Sequence, residues 1–170
     1  MYKRILVPVD GSPTSMSGLG EAVRMAALAG AKVRLMHVLD AWAYTSGFET
    51  ATVYSGEVLP FMRSEGKRIL NEARAVATRA GVEVDTVLIE KVAERVCDLV
   101  IAHAQNWQAD LIVIGSHGRR GVERVVMGSD AEQIVRQAPV PVLVVRSPGT
   151  DEKPGPGRIA GDIPIAVACT

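Results

Sequence analysis

Residues 109–145 read ADLIVIGSHGRRGVERVVMGSDAEQIVRQAPVPVLVV. The run Leu111–Ile114 is short, apolar and rich in β-branched side chains, and it predicts a buried strand. Gly115-Ser116-His117-Gly118 breaks that run. After nine intervening residues comes Gly128-Ser129, followed by a helical pattern with Ala131, Ile134, Val135 and Ala138 on one face. Pro139 and Pro141 end the helix, because a residue that precedes proline avoids helical dihedrals. Val142–Val145 predicts a second buried strand.

The two glycine sites carry the chemistry. Gly115 and Gly118 can adopt positive φ and let backbone amides approach a ligand with no Cβ in the way. Gly128-Ser129 opens a helix, where amides lack intrahelical acceptors and the dipole favours an anion. Strand, glycine turn and helix N-terminus together predict a phosphate cradle. The same residues allow a purely structural alternative: Ser129-Asp130-Ala131-Glu132 has the spacing of a capping box, which serves the helix alone.

Outward from this stretch, the chain alternates. Ile5–Val9 predicts a central parallel strand, apolar without alternation. Ser12 is a good N-cap and Pro13 a good first helical residue for a helix that reaches about residue 29, buries Leu19, Val23, Ala26 and Ala27, and stops at Gly30. Gly18, inside that helix, predicts a close backbone approach. Lys32–Leu39 is a second strand, with Val33, Leu35 and Val38 as core candidates. Residues 40–56 hold Trp42, Tyr44, Phe48 and Tyr54, and read either as a surface loop pinned by its aromatics or as a ligand lid. Residues 57–80 form a helix whose stripe is Met62, Ile69, Leu70, Ala73, Val76, Ala77 and Ala80. Residues 83–89 suit an edge strand, and 92–104 a helix with Val92, Val96, Val100 and Ala104 inward.

The alternation therefore predicts an α/β fold, a five-stranded parallel sheet with helices on both faces, and 3-2-1-4-5 is the candidate strand order. In that order the topological switch lies between strands one and four, and ligands bind beyond the carboxyl ends there. Asp10 ends strand one and Gly115 ends strand four, so the two candidate segments converge. Residues 1–146 make one domain. Residues 147–170 read as an extension, rich in Pro, Gly and charge at first, with an apolar alternation after 159 that suits either an added strand or an appendage without function.

Composition bounds the chemistry. The 170 residues are 48% hydrophobic and 22% charged, an ordinary globular balance. Nineteen Lys and Arg offset nineteen Asp and Glu, so no net basic field attracts nucleic acid. Cys97 and Cys169 match no metal or redox pattern, and His37, His103 and His117 have no metal-ligand spacing. No run approaches the ~18 apolar residues of a membrane span, and a cytoplasmic protein is expected. There is no Walker lysine motif and no evident nucleophile–base pair.

The spacing Gly115-x-x-Gly118, nine residues, Gly128-Ser129 resembles the signature of the universal stress protein family. So do KRILVPVDGS at 3–12, HV at 37–38 and APVPVLVV at 138–145. The resemblance covers residues 2–146 and implies an adenine nucleotide alpha hydrolase-like sandwich, frequently dimeric, with one branch that binds ATP. It implies that Asp10 accepts from a ribose hydroxyl, with capping of the following helix as the alternative. Pro8, Val9 and Val38 are candidates to lie around the adenine, with core packing as the alternative for the two valines. It further implies that Gly115, His117, Gly118, Arg119, Gly128, Ser129 and Asp130 surround the phosphates, with Mg²⁺ a candidate companion. Position 130 departs from that branch, where a small or apolar residue is expected. A carboxylate there repels a triphosphate unless Mg²⁺ intervenes or the side chain turns away.

Three functions stay open at this point. The first is an ATP-binding regulatory protein of the stress response with slow or no hydrolysis. The second is a dimeric interaction protein of the same fold that binds no nucleotide. The third is a true ATPase. Residues 140–145, apolar and at a sheet edge, predict a homodimer through antiparallel pairing.

Overall fold

A computed structural model describes residues 1–39, 56, 58–90, 94–116 and 127–146. Strands β1 (Arg4–Pro8), β2 (Lys32–Val38), β3 (Val84–Ile89), β4 (Leu111–Gly115) and β5 (Val142–Val145) alternate with helices. The helices are α1 (Pro13–Ala29), α2 (Leu59–Arg79), α3 (Val96–Trp107) and α4 (Ser129–Gln137). All pairings are parallel, as the alternation of elements predicts, and the order is β3-β2-β1-β4-β5, the candidate order.

Successive side chains of a strand face opposite ways, and both faces of this sheet are covered. Ile5, Val7, Val9, Val33, Leu35, Leu111 and Val113 pack with Leu19, Ala22 and Ala26 of α1 and Ile69, Leu70 and Ala73 of α2. Leu6, Met36, Ile112 and Ile114 pack the other way, with Cys97, Val100 and Ala104 of α3 and Ala131 and Ile134 of α4. Double coverage is why the central strands read as unbroken apolar runs.

The helix termini follow the local chemistry. Ser12 caps α1, its Oγ accepting from the Ser15 amide at 3.2 Å. Gly30 ends that helix in the left-handed region, at φ 62°. Helix α4 stops at Gln137 because Ala138, before Pro139, is extended. Three stripe residues are corrected: Ala27 and Ala80 are exposed, and Val135 is 45% exposed. Alanine is small enough to sit on either face of a helix, and the narrow buried side of α4 is filled by Ala131 and Ile134. Helix α3 begins at Val96 after an extended Arg95. Val92, the 40–55 segment with its four aromatics, and residues 147–170 lie outside the described residues.

At the edge of the sheet away from β5, Arg34 donates two hydrogen bonds to Asp85, at 2.6 and 2.8 Å, and its guanidinium lies 4.5 Å from the Trp107 ring centre. His103 of α3 is nearby, with Nε2 buried and without a hydrogen-bond partner. Burial holds the His103 pKa below its ordinary value; Arg34 pushes the same way and Asp85 opposes. The folded protein thus binds fewer protons here than the unfolded chain. This contribution to stability is complete above about pH 6.5, the unfolded value, and is lost as the pH falls from there through the lowered folded value. Urea unfolding at pH 7.5 and 5.5 is expected to show a loss of stability at the lower pH, and a smaller loss in His103→Gln. An equal loss in both proteins would assign the effect to other groups.

Candidate functional site

Strands β1 and β4 pair at Ile5 with Leu111 and Leu6 with Ile112. The helices that follow them cover opposite faces of the sheet, α1 after β1 on one and α4 after β4 on the other. In doubly wound sheets such a divergence makes the crevice of the switch point, where ligands bind.

On the β1 side, Asp10 braces a tight turn. The Ser12 amide donates to Asp10 Oδ1 at 2.9 Å, and the Asp10 amide donates to Ser15 Oγ at 3.4 Å. Gly11 sits between them at φ 81°, where a side chain would be strained and would also meet Ile69. The carboxylate therefore has a structural duty of its own at the head of α1, and it remains half-buried at the crevice.

On the β4 side, the reason for Gly115 differs from the sequence expectation. The glycines with positive φ among the described residues are Gly11, Gly30 and Gly81, and Gly115 is not one of them. A Cβ on Gly115 would lie 2.8 Å from the Thr14 carbonyl carbon and oxygen and 2.9 Å from the Ser15 nitrogen. Gly18 completes the contact: its own Cβ would stand 3.3 Å from the Gly115 nitrogen. Gly115 is bare so that the first turn of α1 can lie against the end of β4. The predicted close approach at Gly18 is the other half of the same contact.

The two ends of the long glycine spacing meet. The Gly128 amide donates to the Ser116 carbonyl at 2.9 Å, and the Ser116 amide donates to Val145 at 2.8 Å. A continuous series of contacts thus links Asp10 to Ser15, Ser15 to Gly115, and Ser116 to Gly128.

Gly128 is the N-cap of α4, with no side-chain cap, and Ser129 is the first helical residue. The capping box does not form. Glu132 is paired with Arg136 at 2.8 Å, one turn further along, so its carboxylate points away from the helix start. The amides of a first turn have no acceptor within the helix, and here no capping side chain stands before them. Asp130 is exposed, within electrostatic range of Arg95 and Cys97 at the head of α3. Arg95 is held in its charged form chiefly by its hydrogen bond to Asp98, with Asp130 adding a little. Burial, and then the carboxylates of Asp98 and Asp130, push the Cys97 thiol up, so it is a poor nucleophile.

Val9 is 3% exposed and its side chain belongs to the core beneath α1 and α2, whereas Val38 packs against the opposite core. The two valines face away from each other through the sheet. Strand alternation sets Pro8 on the Val38 face, and both are half-buried. His117, Gly118 and Arg119 lie outside the described residues. His37, Ser15 and Ser116 support the site and were not singled out by sequence for that role. The available signal was a histidine set within the apolar run LMHV.

A doubly wound parallel sheet with an aspartate turn and a helix N-terminus without a side-chain cap at its switch point defines an α/β sandwich. The sequence model of the Universal stress protein family matches residues 1–146, and the chain belongs to that family. Universal stress protein MJ0531 of Methanocaldococcus jannaschii is 32% identical over 149 residues, spanning 87% of this chain and 84% of that protein. Among solved structures, a universal stress protein family member from Burkholderia pseudomallei superposes with a TM-score of 0.68 at 32% identity, covering 86% of this chain and 97% of the other. The universal stress protein from Archaeoglobus fulgidus in complex with dAMP superposes with a TM-score of 0.62 at 25% identity, covering 85% and 98%.

Proposed function

We propose that this chain is an ATP-binding regulatory protein of the stress response, holding Mg-ATP at the carboxyl ends of β1 and β4 with slow or no hydrolysis. The observation that supports the reading is the contact series from Asp10 to Gly128, which joins the Asp10 turn to the start of α4 across the ends of β1 and β4. The dAMP bound by the A. fulgidus relative supports the ligand class. Micromolar affinity requires about −8 kcal/mol. A helix dipole contributes at most ~2 kcal/mol, and each hydrogen bond to a charged oxygen roughly 1.5–3 kcal/mol. Several donors must act together, so the reading draws on Gly118 and Arg119 as well as Ser129 and Asp130. Arg95, engaged mainly by Asp98, interacts only weakly with Asp130, so Mg²⁺ carried with the phosphates would have to offset the Asp130 charge. Among the described residues no group of histidines, cysteines and carboxylates is arranged to hold a metal unaided, so the phosphates themselves would supply ligands. Calorimetry with Mg-ATP is expected to give saturable heat at or below millimolar ligand; a flat titration overturns the reading.

A second reading, an interaction protein without nucleotide, is favoured by Asp130, an exposed carboxylate in the first turn of α4, where a negative side chain already suits the helix dipole. Nucleotide released by acid from the purified protein would count against it. In either case we propose a homodimer through residues 140–145, with 147–170 as an extension outside the domain. Strand β5 is at the sheet edge, and its pairing with Ile112 and Ser116 aims the amides of Val142 and Val144 away from β4. Light scattering at micromolar concentration is expected to give a dimer mass, and Val144→Pro, which removes one outward donor, a monomer. A monomeric wild-type mass ends this part of the proposal.

A further inference from the structure

We infer that His37 is a positioning residue for the nucleotide site, fixing the turn that carries Asp10 from behind the sheet. His37 is the penultimate residue of β2, 5% exposed, and its Nδ1 lies 2.6 Å from the Val9 carbonyl oxygen. A carbonyl can only accept, so Nδ1 carries the proton. The Val9 amide is already tied to β2, donating to Met36 at 2.8 Å. Both backbone groups of the residue before Asp10 are therefore held by β2, one by its main chain and one by an imidazole.

The imidazole is itself held in place. A Cβ on Gly66 of α2 would stand 2.9 Å from His37 Cδ2, 2.7 Å from Leu88 Cδ1 and 3.0 Å from Leu39 Cδ2. The bare helix surface at Gly66 closes over the ring, and Leu39 and Leu88 flank it. Strand alternation sets His37 on the Val9 face of the sheet, opposite Pro8 and Val38. Its effect passes through the Val9 carbonyl to the next residue, Asp10, and to the bond between Asp10 and the Ser12 amide.

The inference rests on the proposed nucleotide reading for its affinity readout, and a ligand-free readout separates the two. In wild type, long-range nitrogen–proton NMR correlations are expected to find the Nδ1–H form of His37; the Nε2–H tautomer overturns the inference. His37→Leu removes the donor, His37→Gln offsets it by one bond, and His37→Asn keeps an N–H near the Nδ1 position. Without ligand, the Ser12 amide is expected to exchange about tenfold faster, relative to the Leu35 amide, in the Leu and Gln variants and near the wild-type rate in Asn. Unchanged Ser12 exchange in the Leu and Gln variants overturns the inference. With Mg-ATP, His37→Leu is expected to weaken binding about tenfold, and Asp10→Ala to cost far less in that background than in wild type. Full multiplication of the two losses shows that His37 does not act through Asp10. If wild type binds no nucleotide, the nucleotide reading fails, and the tautomer and Ser12 exchange still decide whether His37 braces the turn.

Discussion

Gly115→Ala is expected to lower stability by about 1–3 kcal/mol, the usual cost of overpacking a filled interior. The new methyl would meet Thr14 carbonyl atoms at 2.8 Å and the Ser15 nitrogen at 2.9 Å. These are backbone atoms in the first turn of α1, so no side-chain rotation relieves the clash. Either α1 lifts from the sheet or β4 bends. Gly20→Ala is the control within the same helix. Its Cβ would have only the end of Arg24 nearby, at 3.9 Å, and alanine is favoured in a helix interior by roughly 1 kcal/mol. Urea midpoints at constant slope should move down for Gly115→Ala and up, or not at all, for Gly20→Ala. A Gly115→Ala protein as stable as wild type would mean that the α1–β4 contact is looser than described. Lifting α1 would also carry Ser15 away from the Asp10 amide, so nucleotide affinity should fall with stability.

Asp10→Ala is expected to weaken Mg-ATP binding by roughly ten- to a hundredfold, the equivalent of the 1.5–3 kcal/mol of a hydrogen bond to a charged group. On the proposed reading two losses combine: an acceptor for a ribose hydroxyl, and the observed brace on the Ser12 amide at 2.9 Å. Asp10→Asn separates them, because its amide oxygen can still accept from Ser12 while the charge is gone. The expected order of affinity is wild type, then Asn, then Ala. Calorimetry measures it, and urea unfolding of the same variants accounts for the part due to the turn. Equal affinity in all three would remove Asp10 from the ligand site and leave it a turn residue only.

Strand and helix order, the switch point and the head of α1 were legible in the residues. Unbroken apolar runs in the central strands, the Ser12-Pro13 start and Pro139 after α4 each act within a few positions of the chain. The capping box at Ser129 misread because the same four residues can begin a helix one position apart. Which start forms depends on Gly128 donating to Ser116, a bond between residues twelve apart in sequence.

By itself, the amino-acid sequence determined the alternating elements, the parallel sheet, the family, and the pair of segments that meet at the switch point. Their causes are local: side-chain period, proline and glycine stereochemistry, and the alternation that requires crossover helices. Only the tertiary structure decided that Gly115 makes room for a helix rather than a positive φ, that Val9 and Val38 face opposite cores, and that His37 takes the Val9 carbonyl. Each depends on which atoms of distant residues fill the space beside a strand end, and the linear pattern does not contain that information.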